Sequence, residues 1–292
     1  MKIIIFKINK NFNKMEIGIV GNGFVGKATG ILANNSISLK VYDKDPSLCV
    51  PLGTTMEDLL QCSVIFISVP TPMNRDGSCC LSIVEAVVDE LRQLHYAGYT
   101  VIRSTVPVGT SDLLDCNFMP EFLTEKDYLN DFRTNPVWIF GEKEVHEEFR
   151  NIIQRIFSSA KEHGQIESDT LHFMKNSEAE MVKLFRNCFL ATKVSFCNEI
   201  YEFCEKKKID YEAVRSIACI DSRITLSHSQ VPHDGKFGFG GTCFPKDTAS
   251  LLHQMEQSNQ TSYIMKAAVE RNSIVDRPEA DWTSNRGRAV NF

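Results

Sequence analysis

Short apolar runs alternate with helical periods through the first half of the chain. Glu16-Ile17-Gly18-Ile19-Val20 and Leu39-Lys40-Val41-Tyr42 read as strands. Val64-Ile65-Phe66-Ile67-Ser68-Val69 reads as a third, apolar toward both faces as a parallel sheet requires. Thr100 to Ser104 and Val137 to Phe140 supply two more. Between them, Lys27 to Ala33, Leu81 to Leu94 and Glu144 to Phe157 have helical composition or spacing. Strands separated by helices predict an α/β protein with a parallel sheet. The period then changes. Met181, Leu184, Phe185, Cys188, Phe189, Thr192, Phe196, Ile200 and Phe203 keep one helical period. Ser177-Glu178-Ala179-Glu180 opens it as a capping box, and Lys206-Lys207-Lys208 closes it at the negative end of the helix dipole. A helix from about Ser177 to Lys207 would run roughly 45 Å, longer than one small domain covers. It is expected to act as a spine and to carry a homodimer interface.

Composition excludes several classes. The chain has 292 residues, 43% hydrophobic and 24% charged, with a net charge of −5, so no basic footprint for nucleic acid or an anionic membrane is present. No apolar run is long enough to span a bilayer. The opening Met1-Lys2-Ile3-Ile4-Ile5-Phe6 is too short for a signal peptide. Residues 1–14 are expected to be a flexible extension, with Met15 as an alternative start. The ten cysteines include no Cys-x-x-Cys pair and read as reduced thiols of a cytoplasmic protein. The seven histidines show no ligand spacing, and no metal is expected.

Chemistry enters at the first turn. Gly21-Asn22-Gly23-Phe24-Val25-Gly26 lies between a strand and a helix, and Asp43 ends the next strand. Alone the glycines are a weak signal; in that context they form a dinucleotide fingerprint. Gly21, Gly23 and Gly26 would let a pyrophosphate approach the backbone, and Asp43 would hold the ribose hydroxyls, favouring NAD over NADP. Thr71 and Thr105 follow strands at the sheet edge where such folds bind ligands. A Rossmann-type parallel sheet is therefore expected over 15–172. An all-helical middle domain with the spine helix should follow over 173–275, then a polar tail over 276–292.

The second centre is Gly238-Phe239-Gly240-Gly241-Thr242-Cys243-Phe244-Pro245-Lys246-Asp247. It delivers a cysteine to the start of a helix, where the dipole favours thiolate. A glycine turn with an inert cysteine is the bland alternative, and Lys246 and Asp247 at fixed offsets weigh against it. Glu121 and Glu125 would lie one turn apart if their segment is helical; Lys183 and Asn187 lie one turn apart on the spine.

Together these motifs, with Val69-Pro70-Thr71-Pro72 and Ser104-Thr105-Val106-Pro107, resemble the UDP-glucose/GDP-mannose dehydrogenase family over about residues 15–275. The resemblance implies that a sugar's primary alcohol, most readily that of UDP-glucose, is oxidised twice to the acid by two NAD, through a thiohemiacetal and a thioester on Cys243. It implies that Lys183 and Asn187 stabilise the alkoxide-like oxygen, that Asp247 and Thr105 organise a water, and that Glu125 assists hydrolysis. It places Phe24, Val25, Thr71, Thr105 and Lys246 at the cofactor. Glu121, Phe122, Leu123, Lys183, Asn187, Phe239, Gly240 and Gly241 fall at the substrate. Arg223 resembles an arginine that reaches a neighbouring subunit's sugar nucleotide. Full-length members carry a further α/β domain that grips uridine diphosphate; the resemblance is to a short form without it, in which Lys236 or His233 offers a substitute phosphate contact. Two alternatives stay open: a single-step hydroxyacid dehydrogenase in which Lys183 acts and Cys243 is idle, and an NAD-binding protein without turnover.

Overall fold

The computed structural model describes residues 15–292; the expected extension over 1–14 lies outside the described residues. Seven strands form one sheet: β1 Met15–Val20, β2 Ile37–Tyr42, β3 Val64–Ile67, β4 Tyr99–Ile102, β5 Asn117–Phe118, β6 Trp138–Glu142 and β7 Leu171–Lys175. Their spatial order is β2-β1-β3-β4-β5-β6-β7, parallel throughout except between β5 and β6. Strand order reverses between β1 and β3, and ligands of such folds bind at the carboxyl ends beside that reversal. Two strands had no sequence signal. β5 is two residues long, and β7 is half-buried without clean alternation, running three residues past 172.

The nine α-helices are α1 Phe24–Thr29, α2 Ser82–Gln93, α3 Thr110–Leu113, α4 Tyr128–Arg133, α5 Glu147–Glu162, α6 Asn176–Lys207, α7 Tyr211–Ala218, α8 Phe244–Gln257 and α9 Ile264–Arg271, counted among the described residues. Period-two alternation in β3 splits its side chains between two cores. Val64 and Phe66 join Phe149, Ile153, Ile156 and Phe157 of α5 on one face. Ile65 and Ile67 join Val84, Val88 and Leu91 of α2 on the other. Each such buried side chain contributes about 1.5–3 kcal/mol relative to exposure.

Helix α6 is the spine, 32 residues long. Its start corrects the expected capping box. Lys175 is the N-cap, and Glu178 accepts from the Lys175 backbone N–H at 3.0 Å. Glu180 instead reaches into the sheet domain, accepting from the Gly109 and Ser111 backbone N–H groups at 2.6 and 2.8 Å. The apolar stripe of α6 also divides. Leu184 and Cys188 pack on Leu251 of α8, whereas Phe185, Phe189, Phe196 and Phe203 each expose more than half their surface.

The C-terminal residues are not a loose tail. Trp282, Ala289 and Val290 are buried in a small cluster with Met73. Met73 N–H donates to the Ala289 carbonyl at 2.9 Å, and Asn291 N–H returns a bond to the Met73 carbonyl at 2.8 Å. No helix among the described residues is long and apolar enough to cross a membrane.

Candidate active site

The cofactor side is built from backbone. Gly21 follows β1 with φ +94°, the left-handed region that favours glycine, and a Cβ there would lie 2.7 Å from the Ser68 carbonyl oxygen. At Gly26 a Cβ would lie 2.0 Å from the Gly21 carbonyl oxygen, so the turn closes only without side chains. Asp43, just past β2, accepts from the Asn22 N–H at 2.6 Å and the Asp45 N–H at 2.9 Å, which aims its carboxylate along the glycine turn. Thr71 and Thr105 sit together at the ends of β3 and β4: the Thr71 hydroxyl donates to the Thr105 carbonyl at 2.7 Å. A turn with no room for a Cβ at two of its glycines, beside a fixed acid, fits a dinucleotide.

The other wall is built from charge. Lys183 and Glu121, both buried, pair at 2.6 Å. Burial alone would neutralise each. The opposite charge prevails, holding Glu121 below its ordinary range and Lys183 above its own. The Glu121 segment corrects the helical expectation: residues 119–124 are irregular, so Glu121 and Glu125 are not stacked on one turn. Glu121 also accepts from the Leu123 N–H at 2.9 Å. Phe122 lies beneath the Arg186 guanidinium, 3.7 Å from its ring centre. Glu125 is half exposed and accepts from the Thr242 hydroxyl at 2.7 Å, which ties it to the cysteine loop.

Asp247 is buried and takes both remaining partners. Asn187 Nδ2 donates to its Oδ2 at 2.6 Å, and Lys246 Nζ to its Oδ1 at 2.6 Å. Burial would lower Lys246, but Asp247 and Cys243 hold it above its ordinary value. A cavity of about 10 Å³, lined by Thr71, Met73, Cys79, Thr105, Lys246, Asp247 and Ser250, joins the strand ends to α8. That is near the minimum for one water.

Cys243 is the N-cap of α8, with Pro245 in the first turn. Its expected thiolate character needs correction. The thiol is pushed above its ordinary 9.0, first by burial and then by Glu121, with Lys183 and Lys246 opposing. A helix end carries only about half a charge, and desolvation outweighs it here. The loop is pinned from behind: Asn272 accepts from the Phe239 N–H at 2.7 Å and donates to its carbonyl at 3.0 Å. Gly240 and Gly241 follow within the same turn.

Not every expected residue joins this group. Arg223 is exposed on the loop after α7 and bonds Asp221. Lys236 is tied to Asp281 at 2.7 Å, and the His233 ring lies against His228, 5.0 Å between centres. Two residues escape the sequence reading, and a third, Glu180, enters it only as part of a capping box. Lys193 of α6 donates to the carbonyls of Ile224, Thr225 and Ser227 at 2.7, 3.0 and 2.6 Å, holding the Arg223 loop. Arg103 is fully buried at the end of β4; burial lowers it to about 10 and Glu121 opposes. Glu180 braces the turn after Thr105. Their partners lie 16 or more residues away in the sequence, which no local spacing reveals.

The fold and cleft define a dinucleotide-binding α/β protein whose helical half brings one thiol, two lysines and Asp247 to the strand ends, where Glu121 completes the second lysine–carboxylate pair. Residues 51–161 match the NAD binding domain of the UDP-glucose/GDP-mannose dehydrogenase family, and residues 177–273 its central domain. The chain belongs to that family, and NAD is its cofactor. UDP-glucose 6-dehydrogenase of Pseudomonas aeruginosa is 34% identical over 236 residues, covering 74% of this chain and 50% of that protein. UDP-glucose 6-dehydrogenase YwqF of Bacillus subtilis is 32% identical, covering 93% and 69%. A solved UDP-glucose dehydrogenase from Pyrobaculum islandicum superposes with TM-score 0.78 at 25% identity, covering 91% of this chain and 69% of that one. The chain spans about half the length of the first of these relatives.

Proposed function

We propose that this chain is an NAD-dependent nucleotide-sugar dehydrogenase that oxidises a primary alcohol to a carboxylate, UDP-glucose to UDP-glucuronate being the favoured case. The observation that carries this reading is Cys243 at the head of α8, one turn before Asp247, whose partners are Asn187 and Lys246 and which shares a small cavity with the strand-end threonines. The Gly21–Gly26 turn and Asp43, with Phe24, Val25, Thr71, Thr105 and Lys246 nearby, would hold NAD, which when bound would supply a hydride acceptor for each of two oxidations.

The chain's own groups divide the remaining work. Lys183 stays protonated through Glu121 and spends one of its three N–H donors there, leaving others for the oxygen that becomes alkoxide-like. Asn187 spends one amide hydrogen on Asp247 and keeps the second for the same oxygen. After the first oxidation the Cys243 sulfur adds to the aldehyde carbon and its proton passes to a water held by Asp247 and Thr105. The carbon–sulfur bond persists through the second oxidation as a thioester. Water then adds, assisted by Glu125; that bond breaks, and the thiol is restored with the acid released. Phe122, Leu123, Phe239, Gly240 and Gly241 line the sugar's path. A thiol with a raised pKa is mostly protonated at neutral pH, so its proton must leave as the carbon–sulfur bond forms, which is the task of the water held by Asp247 and Thr105.

The four exposed phenylalanines of α6, spaced 4, 7 and 7 residues apart, support a homodimer through the spine, in which Arg223 would face a neighbour. The domain division at about 172 and 275 belongs to the same reading. The decisive experiment counts NADH formed per molecule of nucleotide sugar consumed. Two supports the proposal, one points to a single-step dehydrogenase, and none across a panel of nucleotide sugars points to an NAD-binding protein.

A further inference from the structure

Residues 277–292 cross the mouth of the cleft and touch both of its walls. On the cysteine side, the Arg277 guanidinium packs on Gly240 so closely that a Cβ there would lie 2.4 Å from its central carbon. On the cofactor side, the segment joins Met73 by backbone bonds. Between them stands Arg288. Its Nη2 lies 2.6 Å from Glu125 Oε1, the oxygen that also accepts from Thr242. Its guanidinium carbon sits 5.5 Å from the centre of the Phe24 ring, in the glycine turn.

The cations of this strap are not equivalent. Arg277 is buried and held by both oxygens of Asp281 at 2.7 and 2.8 Å, and Lys236 shares that carboxylate. These charges are already committed. Arg288 and Glu125 are each about half exposed, and an ion pair in that setting is weakly held. A guanidinium matches a diphosphate bidentately and binds it more strongly than a solvated carboxylate. The cleft also needs such a cation. Lys183 and Lys246 are spent on Glu121 and Asp247, so without Arg288 the carboxylates of Asp43 and Glu125 would face a dianionic ligand in a chain that is acidic overall.

We propose that Arg288 is a diphosphate-binding residue, which leaves Glu125 for the phosphates of a nucleotide ligand entering between Phe24 and the cysteine loop. The exchange also releases Glu125 for the hydrolytic role given above, so the inference rests on the dehydrogenase reading only for that consequence. Two ligands carry the chemistry, the cofactor and the nucleotide sugar, and truncated probes separate them.

The test is equilibrium binding, without turnover, of NAD, ADP and adenosine and of UDP-glucose, UDP and uridine to the full chain. Arg288→Ala should weaken one diphosphate ligand and its diphosphate fragment about tenfold or more at low salt, leaving the matching nucleoside unchanged. Loss confined to UDP-glucose and UDP places Arg288 on the substrate; loss confined to NAD and ADP places it on the cofactor. Arg288→Lys should fall between. Glu125→Gln should tighten the same ligand by removing its competitor, an opposite sign that a merely structural contact would not produce. Unchanged binding of both diphosphate ligands, or equal losses for nucleoside and diphosphate, would overturn the proposal. Because binding alone is read, a failure of the two-step oxidation would leave this result standing.

Discussion

The two walls of the cleft are made by different physics. The sheet side shapes its ligand with main chain: a turn that has no room for a Cβ at Gly21 or Gly26, one acid fixed by two N–H groups, and threonines at strand ends. Its acid, Asp43, is partly exposed, and its stability comes from the apolar cores on either face. The helical side shapes its ligand with buried charge, setting Lys183 against Glu121 and Lys246 against Asp247, with Asn187 between. Backbone turns survive most substitutions outside their glycines. Buried ion pairs do not survive the loss of either member. The first wall should therefore respond to mutation mainly in affinity, and the second in folding and chemistry together.

The largest expected effect lies on the charged wall. Glu121→Gln leaves the Lys183 ammonium buried without its counter-charge and should cost roughly 3–5 kcal/mol, on the order of 10 °C in melting temperature. The sign with pH follows from the two shifts. Glu121 lies below its ordinary 4.5, so its contribution is complete above that value and is lost as pH falls through its depressed pKa. Lys183 lies above its ordinary 10.5, so its contribution is complete below that value and is lost only as pH rises beyond it. Thermal melts should show the E121Q penalty across neutral pH, with a flatter acid limb than the parent. Equal melting temperatures at pH 7 would remove the distinction between the walls.

Asp43→Ala tests the other wall. NAD binding should weaken by roughly 1.5–3 kcal/mol, one charged hydrogen bond, while the melting temperature changes little. A titration giving parental affinity would take Asp43 out of the ribose site. The smallest effect concerns the thiol. Alkylation of Cys243 should follow a midpoint above 9.0, because burial and Glu121 both raise it. In E121Q that midpoint should move down, since one of the raising charges is gone. A midpoint unmoved in a folded variant would mean that Glu121 does not act on the sulfur.

How far the sequence could be read follows the same division. The glycine turn, Asp43 and β3 announce themselves because their cause is local: spacing, backbone freedom and two-faced burial. Cys243 and Asp247 were legible as a local motif with the glycines and Lys246, whereas Lys183 and Asn187 gained a role only through a family resemblance, because each alone has an ordinary surface explanation. Glu180 shows the limit most clearly. It stands where a capping box would put it, yet its carboxylate serves N–H groups about seventy positions earlier. Lys193 and Arg288 are hidden for the same reason, their partners being set by tertiary approach. The polar composition of 276–292 suggested a trailing extension, and only the pairing with Met73 shows it to be a wall.

The central claim is that the Cys243 sulfur bonds covalently to the substrate between two oxidations. Acid-quenching the protein during turnover with NAD and nucleotide sugar, then mapping adducts by mass spectrometry, reads that bond directly. The account predicts a sugar-nucleotide acyl adduct on the peptide holding Cys243, absent in Cys243→Ala, which should make no acid while binding NAD as before. Acid produced by Cys243→Ala at the parental rate would contradict it.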